Sequence, residues 1–373
     1  KLNVPNLRFP EFQGEWEKCI LGDITENFNL RNKDKIQYPM FSVTNDRGFV
    51  PQSEQFEGRD MVGEDIKAYK IIHTNDFAYN PARINVGSIA MYTGERPCMI
   101  SSLYVCFKTT KEVNNEWLMQ LLKTPKMNYY YNVNGEGGVR VYLFYPNFAR
   151  IRMSIPKIEE QKKIAKLLNL IDERIATQNK IIEDLKKLKS AISKKLLCND
   201  KWTTYKIQDI AEIGRGRVIS SVEIDRQKHP LYPVYSSQTS NNGIMGYLDN
   251  YMFDGEYITW TTDGANAGTV FYRKGKFNCT NVCGTLKILP KFDCYFVSLV
   301  LQQATQKYVS SNLANPKLMN NTMASIKIRM PNIETQKQLS KVFQTLDGCL
   351  SIHQRTCEMY LKEKQYLLRQ MFI

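Results

Sequence analysis

The sequence predicts an α+β protein: two small mixed α/β domains, each followed by a long helix, with the two helices packing as an antiparallel coiled coil about a pseudo-twofold axis. Three observations predict it. First, Ile155-Pro156-Lys157-Ile158-Glu159-Glu160-Gln161-Lys162 returns as Met330-Pro331-Asn332-Ile333-Glu334-Thr335-Gln336-Lys337, a constant 175 positions later (331 − 156), with Lys166/Lys341 and Asp172/Asp347 in the same frame. A repeat this long is a duplicated structural unit. Second, apolar residues after each copy alternate four and three apart, the spacing of a coiled-coil seam. Third, the stretches between the helices hold short strand-like runs broken by turn residues.

The first domain is expected over residues 1–156 and the second over 199–331. Both open alike: Trp16, Leu21, Asp23 and Ile24 match Trp202, Ile207, Asp209 and Ile210, 186 positions apart (202 − 16). Tyr38-Pro39-Met40-Phe41-Ser42 echoes Tyr232-Pro233-Val234-Tyr235-Ser236, and Asn85-Val86-Gly87-Ser88-Ile89 echoes Asn266-Ala267-Gly268-Thr269-Val270. The offset drifts between these points, so loops of different length sit on a shared scaffold. Strands are expected at 88–92, 103–108, 269–272 and 285–289, and helices at 116–122 and 294–303.

The long helices are expected over 157–198 and 332–373. The first seam runs Ile164, Leu168, Ile171, Ile175, Ile182, Leu185, Ile192 and Leu196, and the second Leu339, Phe343, Leu346, Leu350, Cys357, Tyr360, Leu367 and Met371. About 40 residues give a rod of roughly 60 Å. Pro156 and Pro331 stand at the helix starts, where a missing N–H costs nothing, and Glu159, Glu160 and Glu334 lie where the dipole favours anions. Gln178/His353 and Lys189/Lys364 interrupt the seams. Polar seam positions either fix register and partner or lie solvated in a loose part of the rod, and neither reading makes His353 a ligand.

With 373 residues, 43% hydrophobic and 24% charged, the composition is that of a globular chain with room for two or three cores. A formal charge of +14 and pI near 9.2 point to a polyanionic partner. The sequence holds no run of 18 apolar residues and no signal-peptide pattern, so a cytoplasmic protein without a membrane partner is expected. The nine scattered cysteines fit reduced thiols, and Cys279 and Cys283 lack the second pair or histidine of a zinc site.

Catalytic constellations are missing. The three histidines have no paired spacing, Walker A is absent, and Gly214-Arg215-Gly216 lacks the third glycine of a dinucleotide loop. Asn80-Pro81-Ala82-Arg83 is superficially similar to the Asn-Pro-Pro-Tyr signature of amino-group methyltransferases but lacks its second proline and aromatic residue. A non-catalytic chain with no metal site and no cofactor of its own is expected. What remains is nucleic-acid contact. The first domain offers Arg31, Lys33, Asn45, Arg47, Arg83, Asn85, Gly137 and Arg140. The second offers Arg215, Arg217, Gln238, Asn241, Asn242, Asn266, Lys317 and Asn320. Arg and Lys take guanine or phosphate, and Asn and Gln pair with adenine, so these types suit major-groove readout; each also occurs as an ordinary solvated loop residue or turn former.

These residues resemble the specificity subunit of type I restriction-modification enzymes. The resemblance spans the chain: two variable target recognition domains, each followed by a helix that opens with Pro-x-x-x-x-x-Gln-x-x-Ile/Leu at 156–164 and 331–339. Tyr79-Asn80-Pro81…Val86-Gly87-Ser88 adds to it, whereas the second domain reads Trp260-Thr261-Thr262…Ala267-Gly268-Thr269, which makes Asn80 and Pro81 structural rather than base-reading. The resemblance implies a host-defence subunit that binds double-stranded DNA at an asymmetric bipartite site, one half per domain. It implies recruitment of two methyltransferase subunits and two motor-nuclease (restriction) subunits. S-adenosylmethionine, ATP and Mg belong to those partners, with none bound by this chain. The rod would cover about 18 base pairs, with half-sites nearer one turn, about 10 base pairs, apart. Two other readings stand beside it: an adenine-specific DNA methyltransferase in its own right, and a coiled-coil interaction scaffold that does not bind DNA.

Overall fold

The computed structural model describes residues 3–55, 66–137, 141–197, 199–310 and 315–373. It divides into two compact units, Lys1–Asn179 with Arg355–Ile373, and Lys180–Gln354. The division cuts each long helix, Ile158–Leu196 and Ile333–Gln370, so each unit contains part of both.

In the first unit an antiparallel sheet runs Thr25–Phe28, Val105–Thr109, Phe77–Tyr79, Ile89–Met91 in spatial order. Strand pairs Glu17–Ile20 with Arg152–Ile155, Phe41–Thr44 with Gly48–Pro51, and Lys70–Ile72 with Cys98–Ile100 flank it. Helix Asn115–Leu122 starts where the Asn114 side chain accepts from the Trp117 N–H at 2.8 Å, and helix Pro125–Asn134 follows a Thr124 cap. The core is aromatic: Phe77 stacks on Phe107 at 4.9 Å, and Trp16 meets Trp117 edge-on at 6.4 Å.

The second unit repeats this plan. Its sheet runs Ala211–Arg215, Cys283–Ile288, Glu256–Thr261, Val270–Lys274, all antiparallel, and Thr203–Lys206 pairs with Lys327–Met330 as Glu17–Ile20 does with Arg152–Ile155. Helix Cys294–Ala304 takes the place of Asn115–Leu122, capped by Asp293. Trp202 meets Phe296 edge-on at 5.9 Å, as Trp16 meets Trp117.

The repeated helix starts differ from expectation in one respect. Helical structure begins at Ile158 and Ile333, two residues past Pro156 and Pro331, so the prolines lie ahead of the cap. Asn332 is the second helix's cap, accepting from the Thr335 N–H at 2.9 Å. The proline carbonyls instead accept from the Gln161 and Gln336 side chains, each at 2.8 Å. The same glutamines accept from the N–H of Asn114 at 2.7 Å and of Asp293 at 3.0 Å. One buried amide thus joins the long helix to the cap of the preceding helix in each unit.

Within each unit the long helices are antiparallel. In the first, Asp172 bridges to Lys364 at 2.6 Å, Arg174 donates to the Tyr360 hydroxyl at 3.2 Å, and Asn179 lies against Cys357 at 3.4 Å. In the second, Lys189 bridges to Asp347 at 2.5 Å. The two bridges occupy repeat-equivalent positions, so the polar interruptions Lys189 and Lys364 are held rather than loosely solvated. The expected seams are composite. Ile164 and Leu168 are buried in the first unit's core together with Met371, and Phe343 in the second's, while Ile175, Ile182, Leu185, Ile192, Leu339, Leu346, Leu350, Tyr360 and Leu367 are half-buried. Ile171 and Cys357 are buried as well. Leu196 corrects the expectation: it is 37% exposed, and its neighbour Leu197 at 5% packs into the core, because the chain leaves the helix there.

Candidate nucleic-acid interface

In the first unit the expected residues converge from two turns. Asn45 and Arg47 sit in the hairpin between Phe41–Thr44 and Gly48–Pro51, and Arg83 and Asn85 in the connection from Phe77–Tyr79 to Ile89–Met91. The second turn is tightly built: the Asn80 side chain accepts from the Ala82 N–H at 3.0 Å, and Gly87 adopts φ +101 to bond Ile84 O. A Cβ at Gly87 would lie 3.3 Å from Asn45 O, so glycine lets the two turns approach. Ser88 Oγ donates to Val43 O at 2.7 Å and locks them together.

Asn45, Arg47, Asn80 and Arg83 line a cleft of about 680 Å³, and Asn45 with Asn85 lines an adjoining one of about 440 Å³. Lys123 and Asn128 of the second cleft escaped the sequence reading, since nothing in their local pattern sets them apart from solvated helix positions. Arg83 is exposed, and Arg47 lies 3.8 Å from Glu54 with both side chains more than half exposed. Gly137, at φ +106, belongs to a loop tied to the same turn by the Leu143 N–H on Pro81 O at 2.9 Å; Arg140 lies outside the described residues. Arg31 and Lys33 line neither cleft; they flank Asn32, which is buried and holds the backbone of Ile36.

In the second unit Arg215, Asn266, Lys317 and Asn320 come together. The strand end at Gly214 accepts from the Asn320 side chain at 3.4 Å, and Arg215 reaches Met319 Sδ at 3.8 Å. Leu318 N–H donates to Thr262 O and Gly264 N–H to Pro316 O, which joins 315–320 to the loop carrying Asn266. Lys317 lies 3.5 Å from Asp263. Thr261, Thr262 and Asn320 each bury a side-chain oxygen that has no partner among the described residues.

Four other expected residues are spoken for. Arg217 is forked onto Glu223, which raises its pKa, and Gln238 donates to Ile244 O. Asn241 and Asn242 hold φ of +48 and +54 ahead of Gly243, the turn-forming role. Beneath that turn lies Arg273, which the sequence reading missed. It is 3% exposed, lies over the Tyr235 ring at 3.6 Å and the Phe271 ring at 4.4 Å, and donates to Thr259 Oγ1 at 3.1 Å. Burial pushes its pKa down, with no carboxylate beside it among the described residues. The eight described cysteines are free thiols; Cys198 lies outside the described residues. Among the described residues no cluster of three metal-ligating side chains occurs, and no helix is long and apolar enough to cross a membrane.

The comparisons fit this duplicated plan. The family model for the type I restriction modification DNA specificity domain matches residues 13–187 and again 199–358. A Mycoplasma pneumoniae protein named as a type I specificity subunit, S.MpnORF201P, is 36% identical over 231 residues, covering 60% of this chain and 96% of its own. The specificity subunit of the type I restriction enzyme MpnII from the same organism is 39% identical over 179 residues, 47% of this chain and 53% of its own. Among solved structures, a type I restriction-modification S subunit from M. genitalium superimposes with a TM-score of 0.71 over 99% of both chains at 14% identity, a likeness of fold. The chain therefore belongs to the family of type I restriction-modification DNA specificity subunits, and carries the family's domain twice.

Proposed function

We propose that this chain reads a bipartite, asymmetric site on double-stranded DNA, with residues 1–156 and 199–331 as the two target recognition domains. As a type I specificity subunit it is the DNA-recognising, non-catalytic member of its system. One observation carries the finer reading: each unit gathers its own set of Arg, Lys and Asn side chains at the loop ends of a shared scaffold. In the first these are Asn45, Arg47, Arg83 and Asn85, and in the second Arg215, Asn266, Lys317 and Asn320. Different residues on like frames suit two different half-sites. Residues 157–198 and 332–373, with the seam residues named above, serve as the spacer between the readers.

In this reading the protein works in the cytoplasm beside two methyltransferase and two motor-nuclease subunits. S-adenosylmethionine, ATP and Mg are used on those partners. The chain supplies position: it holds target adenines where a partner can methylate them. The test is methylation-sensitive sequencing of DNA from cells carrying the chain with its methyltransferase, repeated after one recognition domain is exchanged. A split motif in which only one half changes is expected. A motif that changes in both halves, or modified sites that are not split, would overturn the two-reader reading.

A further inference from the structure

The two halves align without a gap from Tyr142 to Gln161, at the helix repeat's offset of 175 (336 − 161). Buried positions on this stretch stay apolar: Leu143 matches Leu318, Phe148 matches Met323 and Ile151 matches Ile326, each at most 2% exposed. The backbone bonds match as well. Leu143 N–H donates to Pro81 O and Leu318 N–H to Thr262 O, both at 2.9 Å, so each leucine ties its loop to the turn that follows Phe77–Tyr79 or Glu256–Thr261. An antiparallel pair precedes each leucine, Glu136 with Tyr142 and Ser310 with Lys317.

On this shared frame the residues that flank the buried leucine differ. In the first unit they are Tyr142 and Phe144, 37% and 49% exposed, whose rings stack with centroids 6.2 Å apart and planes 12° apart. In the second they are Lys317 and Met319, similarly exposed. Lys317 and Met319 belong to the group of side chains gathered around Arg215, where Met319 Sδ lies 3.8 Å from the guanidinium. Tyr142 and Phe144 hold the same place in the first unit, against the turn that carries Arg83 and Asn85. Other aromatic residues nearby turn inward: Phe148 is fully buried, and the Tyr145 hydroxyl donates to Thr25 O at 2.8 Å.

Two aromatic rings left half in water at a loop end forgo the burial that such rings gain in a core, so their surface suits an apolar ligand. Phe144 carries neither donor nor acceptor, so it cannot hold phosphate or hydrogen-bond a base edge. The apolar group that the major groove displays is the C5 methyl of thymine. We propose that Tyr142 and Phe144 are specificity-determining residues of the first recognition domain, taking the methyl of a thymine in its half-site against their rings, where Lys317 and Met319 of the second domain offer a cation and a thioether. The inference rests on the function proposed above and deepens it. One buried leucine presents the same two outward positions in each half, and the residues placed there give the halves different reading chemistry.

The test uses the full chain with its methyltransferase and the duplex that methylation-sensitive sequencing identifies. Replacing one thymine of the first half-site by deoxyuridine, which removes only the methyl, should weaken binding of the unaltered protein about fourfold. Tyr142→Ala with Phe144→Ala should weaken binding about tenfold, as a lost base contact does, and should abolish the deoxyuridine effect. The salt dependence should stay as it was, since no phosphate contact is removed. Tyr142→Lys with Phe144→Met, the second domain's pair, should alter the first half of the methylated motif and leave the second half unchanged. If no deoxyuridine matters to the unaltered protein while the alanine pair still weakens binding, the rings act as a wedge between base steps and the methyl reading is overturned. A deoxyuridine effect that persists in the alanine pair, or a motif that changes in its second half, also overturns it. If the unaltered chain yields no split motif, the two-reader function itself falls.

Discussion

The two units hold the strand that opens each domain in different ways. In the second unit that strand follows the first long helix directly, with Leu197 packed in the core and Trp202 five residues on. In the first unit residues 3–16 lead into it as turns and loop, and side chains do the holding. Arg8 forks onto Glu160 at 2.8 and 2.7 Å, the Leu7 N–H donates to Gln370 O at 2.9 Å, and Lys163 lies over the Phe9 ring at 4.6 Å. Glu160 is 1% exposed, and its repeat-equivalent is Thr335, which has no such duty. The lesson is that a duplicated frame keeps its packing positions but reassigns its polar positions where the segment leading into it differs. Glu160, which the sequence suggests is a dipole-complementing first-turn acid, is a buried ion-pair partner instead.

Four substitutions sharpen this contrast. The largest effect is expected for Glu160→Ala, which strands Arg8 and leaves the Trp16 Nε1 contact at 3.3 Å unmade; breaking such a buried pair costs about 3–5 kcal/mol. Thr335→Ala should cost little; urea unfolding midpoints of the two variants measure the difference, and equal losses would refute the clamp. Next, Gln161→Leu should destabilise by about 2–3 kcal/mol because it orphans the Asn114 N–H and the Pro156 carbonyl inside the fold. Gln336→Leu should approach that loss, since the same two bonds are made there, and a neutral result at either site would show that the shared joint is not structural.

A smaller effect is expected at the reading loops. Arg83→Ala should weaken target binding roughly tenfold, as the loss of one base or phosphate contact does, and Arg217→Ala less, because Glu223 already occupies that guanidinium. Fluorescence anisotropy on the cognate duplex measures both, and a stronger dependence on Arg217 would reverse the assignment. The smallest effect belongs to Asp172→Asn, where the bridge to Lys364 is 42% exposed on the acid side and worth about 0.5 kcal/mol after solvent screening. Asp347→Asn should cost about as much, because each carboxylate accepts one further bond at an equivalent position, Asp172 from Gln120 Nε2 at 2.9 Å and Asp347 from the Tyr295 hydroxyl at 2.5 Å.

Much of the scaffold was legible because it depends on local chemistry repeated twice. The 175-residue offset, the helix starts, and helices Asn115–Leu122 and Cys294–Ala304 follow from periodicity, caps and composition. The candidate site was legible only as residue types. Arg83 and Arg217, or Asn45 and Asn241, look alike in sequence; the fold places Arg83 and Asn45 together on a cleft, spends Arg217 on Glu223 and spends Asn241 on a left-handed turn. Arg273 was invisible for the converse reason, since only the meeting of Tyr235 and Phe271 makes a cation-holding slot there.

The sequence by itself determined that this chain is a duplicated α+β frame, because hydrophobic period and repeated helix starts are properties of residues near each other along the chain, and the role of specificity subunit came from its resemblance to that family. Only the tertiary structure decided which cations are already ion-paired and where the seams give way to domain core. Those outcomes depend on ion pairs and packing between residues far apart in sequence, such as Arg8 with Glu160 and Lys364 with Asp172, and residue type alone does not encode which partner arrives.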